Sequence, residues 1–321
     1  MHKQNLWSTQ AARFARENFV YELETRGYSF IHNSISDDLA DQILGELDMA
    51  SIAINSSTLH PVKQGSFSFF PNAIAKSRSA CRLALSELIL SICRDYLKQD
   101  FSLVNNRLVR ACGSMYMPWH TDNNVMSGQR FRGKHNLPGV QFVLYLSDSH
   151  LAPFQLIQNS EKWSLGWPHR YLDNATAEKD FNEYIVEISP SKGTLLALNT
   201  HLFHRGVGFK KKDFIRSLLL FQFDVISDDL KDHGEQLLLN PSFIEDFDLS
   251  LVKILGLGKP RAYSAFPETS LEDIPPLESI SIQVKLLSSL FSNILGSVTK
   301  TFFSDRLRVF IKNKRSQRLK I

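Results

Sequence analysis

The 321 residues are 43% hydrophobic and 11% aromatic, which is enough apolar side chain for a sizeable core. The formal net charge of +4 is uneven: residues 300–321 contain eight basic residues and one acidic residue, +7 in all, so the rest of the chain sums to −3. A nearly neutral body argues against a nucleic-acid-binding protein. We therefore expect an ordered globular protein with no nucleic-acid partner.

The cysteines and the N-terminus indicate a cytoplasmic protein. Cys81, Cys93 and Cys112 are odd in number and lack the spacing of a metal site, which suits a reducing compartment. Residues 1–8 are polar and contain no apolar segment of the kind found in a signal peptide. No stretch of the sequence is long and apolar enough to predict a transmembrane helix.

The first third of the chain has mainly helical periodicity. Residues 8–26 predict a helix that stops at a glycine, and residues 28–33 predict a short strand. A second helix is predicted from Ser36, whose hydroxyl can accept a hydrogen bond from a free backbone N–H of the first turn. Residues 78–98 predict a third, strongly apolar helix.

The middle of the chain predicts a sandwich of short strands. Runs rich in Val, Leu, Phe and Tyr alternate with turn residues, and the predicted strands are 103–110, 114–120, 139–146, 153–158, 184–188, 194–199 and 214–223. Many short strands at this spacing favour two facing sheets over alternating βαβ units. The predicted fold class is therefore mainly β with flanking helices, built on a jelly-roll core.

These patterns divide the chain into four predicted segments. Residues 1–100 form a helical flank packed on the core, and residues 101–225 form the core itself. Residues 226–275 form a helical extension, in which a helix begins at Asn240 and Pro241. Residues 276–321 form an amphipathic helix followed by the basic tail.

The C-terminal segment has two interpretations. One face of the predicted helix carries apolar side chains at helical spacing, namely Ile282, Leu286, Leu290, Ile294 and Val298. This face either packs on the domain and leaves a frayed basic end, or makes a peripheral contact with an anionic membrane.

The segment Trp119-His120-Thr121-Asp122 contains the first candidate metal ligands. On a strand, residues two apart point to the same face, so His120 and Asp122 converge. With one further histidine, an imidazole and a carboxylate form the facial triad of non-haem Fe(II) oxygenases. A His-x-Asp pair alone is equally compatible with two solvated turn residues.

A histidine near a second strand completes the candidate set. An apolar strand runs from Gly193 to His204, and Arg216 opens the next apolar run twelve residues later. If the two strands pair antiparallel, Arg216 returns beside the metal strand, where a buried guanidinium could bind a dicarboxylate. The alternative for Arg216 is a surface position at the start of a strand.

His201 competes with His204 for the place of the second histidine ligand. Three residues apart on a strand, the two side chains point to opposite faces, so only one can serve. The spacing to Arg216 favours His204. Residues 159–182 form a longer polar insertion, which predicts either a substrate lid or a surface excursion packed by its own tryptophans.

Five landmarks in this order resemble the phytanoyl-CoA dioxygenase family. They are the His-x-Asp pair at 120–122, the strand Gly139–Asp148, the segment Pro153–Ser160, the strand from Gly193 to His204-Arg-Gly, and Arg216. The opening Gly27–Asn33 is also similar to that family's start, and the resemblance spans roughly residues 20 to 224. It implies a double-stranded β-helix (cupin-like) core, an Fe(II) centre and 2-oxoglutarate as co-substrate.

The resemblance also implies roles for individual residues. His120, Asp122 and His204 match the family's iron ligands, and Arg216 matches the residue that pairs with the distal carboxylate of 2-oxoglutarate. The chain departs from the family at Gly206, where many members carry a Ser or Thr that helps to bind the co-substrate.

The predicted function is that of an Fe(II)- and 2-oxoglutarate-dependent dioxygenase that hydroxylates a small-molecule or lipid-like substrate. Halogenases of this kind lack the carboxylate ligand, so Asp122 favours hydroxylation. Two alternatives stay open: a metal-binding jelly-roll protein without turnover, and an Fe(II) oxygenase that does not use 2-oxoglutarate.

Overall fold

The structure is a computed structural model. It describes residues 6–9, 11, 16–47, 62–64, 67–112, 119–122, 136–167, 171–208, 214–228, 234, 237–245, 247–255, 287–288, 291, 304–307, 309–310 and 313. Most of the predicted strand 114–120 and of the predicted helix 282–298 lies outside these residues, so these two predictions are not tested as a whole.

The described helices lie mainly before the sheets, as predicted. In chain order they are α1 (Arg16–Arg26), α2 (Asp37–Glu46), α3 (Ala73–Lys76), α4 (Arg78–Ala84), α5 (Glu87–Leu97), α6 (Asn174–Asp180), α7 (Pro241–Ile244) and α8 (Leu249–Ile254). Ser36 caps α2, and its hydroxyl accepts a hydrogen bond from Leu39 N at 3.2 Å. Gly27, with a φ of 84°, ends α1 at the predicted stop.

The prediction of one helix over residues 78–98 is wrong, because α4 and α5 are separate. Ser86 has extended backbone angles between them. Its hydroxyl donates to the carbonyl of Leu83 at 2.6 Å and accepts from Trp7 Nε1 at 3.0 Å. The carbonyl of Leu83 thus accepts both the hydroxyl and the backbone N–H of Ser86, which closes α4 in a tight turn before α5 begins.

Twelve described strands form two antiparallel sheets. The strands are β1 (Tyr28–Ile31), β2 (Val62–Gln64), β3 (Phe67–Pro71), β4 (Phe101–Cys112), β5 (Trp119–His120), β6 (Gly139–Tyr145), β7 (Phe154–Ile157), β8 (Tyr171–Leu172), β9 (Ile185–Ile188), β10 (Leu195–Asn199), β11 (His204–Gly206) and β12 (Ile215–Val225). The order in the larger sheet is β1-β10-β6-β12-β4-β3-β2, and in the smaller sheet β8-β5-β11-β7-β9.

Each face of the larger sheet has its own apolar core. One face packs on the helices, through residues such as Phe142, Leu144 and Phe221. The other face points between the sheets, where Val143 and Leu196 meet Phe154 and Leu156 of the smaller sheet in a second cluster. Successive side chains along β6 and β12 therefore point alternately into the two different cores. The space between the sheets is the place for a buried site.

The insertion 159–182 is more ordered than a polar loop. It contains two short 3₁₀ turns, the strand β8 and the helix α6. Trp163 stacks on Phe181 with a centroid separation of 4.5 Å and on Phe203 with one of 5.4 Å. These contacts favour an excursion packed by its own tryptophans, and β8 extends the smaller sheet beside β5.

The described part of the C-terminal segment packs against this insertion. Asp305 Oδ2 accepts a hydrogen bond from Asn174 N at 2.6 Å, and Asn313 Oδ1 accepts one from Tyr171 N at 3.3 Å. Val309, which lies between Asp305 and Asn313 in the sequence, is buried. Residues near 305–313 thus follow the first interpretation, packing on the domain. Within the described residues, no helix has both the length and the apolarity needed to cross a membrane.

Candidate active site

The predicted metal ligands come together at the ends of two neighbouring strands. His120 and His204 are directly opposite each other where β5 pairs with β11, and their rings lie 4.5 Å apart between centroids. Asp122 follows β5 in the chain, where its backbone N–H donates to Thr200 O at 2.9 Å. Its Oδ1 lies 3.9 Å from His120 Nε2, and its Oδ2 lies 3.3 Å from His204 Nε2.

The chemistry of this group fits a divalent metal ion. One nitrogen or oxygen atom from each of the three side chains lies within 4.8 Å of the others. His204 Nδ1 lies 3.0 Å from Leu202 O, which indicates that Nδ1 carries the proton and donates it to this carbonyl. The Nε2 lone pair then faces the Asp122 carboxylate.

Asp122 Oδ2 gives the clearest sign that a cation belongs here. It is buried and accepts no hydrogen bond from any described residue, although His204 Nε2 is close. Two lone pairs that face each other in a buried site repel unless a cation lies between them. Two imidazoles and one carboxylate on one side of an ion form the donor set typical of Fe(II) sites with open positions.

His201 does not join this group. Its backbone N–H donates to Asn199 Oδ1 at 2.8 Å, and its ring is not among the side chains that surround Asp122. His204 also stacks on Phe154, with centroids 5.4 Å apart and an interplanar angle of 24°. The geometry therefore favours His204 over His201 as the second histidine.

Arg216 reaches the site by a different route from the predicted one. The pairing of its strand with the His204 strand is wrong, because β11 pairs with β5 and β7 in the smaller sheet, whereas β12 pairs with β4 and β6 in the larger one. The side chain instead crosses the space between the sheets. A Cβ atom at Gly206 would lie only 2.5 Å from Arg216 Nη2, so the guanidinium rests against the backbone of β11.

The Arg216 guanidinium is buried, and the described part of the chain supplies no counter-ion to it. The residue is 2% exposed, its Nη1 donates to Ala152 O at 2.7 Å, and its Nε has no hydrogen-bond partner. Among the described residues, no carboxylate lies within ion-pair distance of it. Burial lowers the pKa of Arg216 because desolvation disfavours the charged form, and the nearby Tyr145 acts in the opposite direction. An anion would satisfy this group.

Tyr145 is a candidate site residue that was missed in the sequence. It is fully buried in the core between the sheets, and its hydroxyl has no hydrogen-bond partner within the described ranges. Burial is the main cause that raises its pKa, so the phenol is protonated near neutral pH. One feature of the sequence could have indicated it: Tyr145 is the single residue with a polar tip in the otherwise apolar end of β6.

A buried polar cluster lies near Asp122, at the ends of β6 and β12 that are opposite to Tyr145 and Arg216. Gln222 Nε2 donates to both carboxylate oxygens of Asp224 at 3.1 Å, while Gln222 Oε1 has no partner. The Asp224 carboxylate and the Thr200 hydroxyl both lie over Gly139, where a Cβ would be 2.1 Å and 2.7 Å from them. Because Thr200 O accepts from Asp122 N, this cluster is one residue removed from the candidate metal ligands.

Solved structures with the same architecture include HygX from Streptomyces hygroscopicus, with nickel, 2-oxoglutarate and hygromycin B bound. It is 21% identical to this chain over 68% of this chain and 95% of its own, with a TM-score of 0.50. EctD from S. alaskensis, with 2-oxoglutarate and 5-hydroxyectoine, is 19% identical over 74% of this chain and 85% of its own, with a TM-score of 0.52.

This chain has their fold. The predicted jelly-roll core with flanking helices is thereby confirmed, and at this level of identity the likeness shows the fold alone. No protein-family model matches the sequence, and no curated protein is similar to it in sequence. The case for a function rests on the side chains inside the jelly roll.

Proposed function

We propose that this protein is an Fe(II)- and 2-oxoglutarate-dependent dioxygenase. The observation that carries the proposal is the buried, unsatisfied Oδ2 of Asp122 between His120 and His204. Those three residues would hold the iron, and Arg216 would bind the distal carboxylate of 2-oxoglutarate. With dioxygen as the oxidant, the bound metal would supply the chemistry that hydroxylates the substrate: one oxygen atom would enter the substrate as its new hydroxyl, and the other would enter succinate, which forms from 2-oxoglutarate with loss of CO₂.

The protein's own groups would position the reactants. The Nδ1–H of His204 is hydrogen-bonded to Leu202 O, which holds the imidazole in the tautomer that presents Nε2. Phe154 fixes the plane of the same ring by stacking. The aliphatic residues between the sheets exclude water from the Arg216 end, so that an ion pair formed there is only weakly screened.

Two further observations support the choice of co-substrate and family. The proteins that share this fold, HygX and EctD, were both solved with 2-oxoglutarate bound. Five landmarks lie in the same chain order as in the phytanoyl-CoA dioxygenase family, which supports membership of that family. A metal-binding protein without turnover remains the main alternative, and the experiment below separates the two.

The buried polar cluster bears on the substrate class. Gln222 Oε1 and the Thr200 hydroxyl are buried without partners, and such groups are costly unless a ligand satisfies them. We infer that the substrate is a polar small molecule with hydroxyl or amine groups, in preference to a lipid-like one. Hygromycin B and 5-hydroxyectoine, the small molecules in HygX and EctD, are consistent with this preference.

The test is anaerobic calorimetry with Fe(II), followed by a screen for succinate formation from 2-oxoglutarate. Asp122→Ala should lose most of the iron affinity of the wild-type protein, because a three-ligand site loses a charged ligand. Near-stoichiometric iron binding by Asp122→Ala would refute the metal site. Intact iron binding without succinate, across a panel of polar hydroxylated and amine-bearing compounds, would favour the non-catalytic alternative.

We also propose that the C-terminal tail contacts anionic membranes while residues near 305–313 stay docked. Leu287 and Phe291 are exposed by 56% and 71% in this segment, ahead of most of the basic run. Exposed apolar side chains that precede a cluster of basic residues in the sequence are typical of peripheral membrane segments. We propose a cytoplasmic location, in line with the predicted reducing compartment. Cys81 and Cys93 are both buried free thiols.

A further inference from the structure

Two unsatisfied hydrogen-bond donors lie together at the deep end of the space between the sheets. Arg216 Nε and the Tyr145 hydroxyl are both buried, and neither has a hydrogen-bond partner among the residues that the structure describes. Leu218 pairs directly with Tyr145, and Arg216 is two residues from Leu218 on the same face of β12. Diagonal neighbours of this kind are about 7–8 Å apart at the backbone, within reach of long side chains. Each residue also influences the pKa of the other.

We propose that the Tyr145 hydroxyl and the Arg216 guanidinium together bind the distal carboxylate of the co-substrate, with Tyr145 as a second anchor contributed by β6. This inference rests on the proposed function and names a residue that the sequence did not indicate. A protonated phenol and a guanidinium both donate, so they suit a ligand that only accepts. A carboxylate offers two oxygens and about four acceptor positions for them.

The placement of the two donors matches the far end of a co-substrate held at the metal site. Gly206, against which the guanidinium rests, is two residues from His204 along β11. Two residues of strand span about 7 Å, which is the scale of a short dicarboxylate with one end on the metal.

β11 offers no hydroxyl to the guanidinium, because the residue beside it is Gly206. A Cβ at Gly206 would lie 2.5 Å from Arg216 Nη2, so a side chain there would require the guanidinium to shift. The Ala152 carbonyl, just before β7, is an acceptor and already takes a hydrogen bond from Nη1. Tyr145 is the described residue in this region with a free hydroxyl donor.

The experiment measures 2-oxoglutarate binding to the full-length, metal-loaded protein under anaerobic conditions. Calorimetry gives the dissociation constant, and the charge-transfer absorption of the Fe(II) complex gives an independent readout. Tyr145→Phe should weaken binding about ten- to a hundredfold, as expected for one hydrogen bond to a charged group. Arg216→Ala should weaken it at least a hundredfold, because the carboxylate loses its buried counter-ion. The double variant should lose less than the product of the two effects, since both residues bind one group.

The matched control is Tyr28→Phe. Tyr28 is buried in the same cluster between the sheets, but its hydroxyl is not among the unsatisfied groups. Tyr28→Phe should leave 2-oxoglutarate binding unchanged. A second control uses 2-oxobutyrate, which has the keto acid end and no distal carboxylate; its weaker binding should be insensitive to Tyr145→Phe.

Thermal unfolding of the ligand-free protein separates anchoring from a structural role. Among the described residues the Tyr145 hydroxyl has no hydrogen-bond partner, so Tyr145→Phe should leave the melting temperature unchanged or raise it. A lowered melting temperature with unchanged 2-oxoglutarate affinity would overturn the inference and leave the proposed function standing. Failure of the metal-loaded wild-type protein to bind 2-oxoglutarate would overturn both.

Discussion

At the scale of single residues, the candidate site depends on which atoms are left without a partner. The Asp122 carboxylate, the Arg216 guanidinium and the Tyr145 hydroxyl each have one buried, unsatisfied atom. A buried polar atom of this kind costs about 1–3 kcal/mol, and more when it is charged. Three such groups in one interior indicate ligands that complete the hydrogen bonding and neutralise the charge.

The first residue-scale prediction separates the two candidate histidines. His204→Ala should reduce Fe(II) affinity as severely as Asp122→Ala, because Nε2 of His204 faces Asp122 across 3.3 Å. His201→Ala should leave Fe(II) affinity unchanged, because its ring lies outside the group. Anaerobic calorimetry on both variants checks this. The opposite pattern would exchange the roles of the two histidines.

The second residue-scale prediction concerns the close approach at Gly206. Gly206→Ala should leave iron binding intact and weaken 2-oxoglutarate at least tenfold, because the new methyl group would displace the Arg216 guanidinium. Gly45→Ala is the matched control, since a Cβ in this position of α2 meets no atom within 4 Å. That variant should gain about 0.5–1 kcal/mol of stability from improved helix propensity. Unchanged 2-oxoglutarate binding by Gly206→Ala would show that Arg216 is not held against β11.

At the scale of elements, the smaller sheet is supported from outside by the insertion and the C-terminal segment. β8 pairs with β5 through Trp119 opposite Leu172 and His120 opposite Tyr171. The backbone N–H of Tyr171 donates to Asn313, and that of Asn174, at the start of α6, donates to Asp305. A carboxylate at the N-terminus of a helix also interacts favourably with the helix dipole. The strand that carries His120 is thereby held on its outer edge.

The element-scale prediction is that Asp305→Ala destabilises the protein by about 1–3 kcal/mol, because it removes a charged acceptor from a helix N-terminus. The midpoint and slope of urea unfolding give this free energy. Asp180→Ala, at the exposed end of the same helix, is the control and should change stability by less than about 0.5 kcal/mol. Equal effects of the two substitutions would show that the C-terminal segment does not support α6.

At the scale of the whole molecule, the positive charge is concentrated at one end of the sequence. The last 22 residues carry +7 and the rest of the chain −3, so the two parts attract different partners. Leu287 and Phe291 are exposed in this region, while Asp305 and Asn313 anchor the segment that follows. Substitution of exposed residues therefore tests membrane contact more cleanly than truncation does.

The whole-molecule prediction is salt-sensitive binding to vesicles that contain anionic lipid. Each basic residue near such a surface contributes about 1 kcal/mol, and high salt screens this contribution. Leu287→Glu combined with Phe291→Glu should abolish sedimentation with the vesicles and preserve the melting temperature. Tyr21→Glu, on an exposed face of α1, should have no effect on binding. Absence of binding by the wild-type protein at low salt would refute the membrane contact.

The sequence by itself determined the fold class, the helical flank and the chain positions of the candidate ligands. These features follow from local patterns: the alternation of apolar residues in strands, the caps at Ser36 and Gly27, and the same-face spacing of His120 and Asp122. Even here a local pattern failed at Ser86, where a side-chain hydrogen bond to the carbonyl of Leu83 divides a predicted helix in two.

Only the tertiary structure decided how the site is assembled. Arg216 follows His204 closely in the chain, which suggested a hairpin, but their strands belong to different sheets and meet across the interior. Tyr145 is separated from Arg216 by 71 residues and becomes its neighbour through the pairing of β6 with β12. The periodicity of the sequence indicates which face of a strand a side chain occupies. It does not indicate which distant strands pair, because that pairing depends on how both sheets bury their apolar faces together.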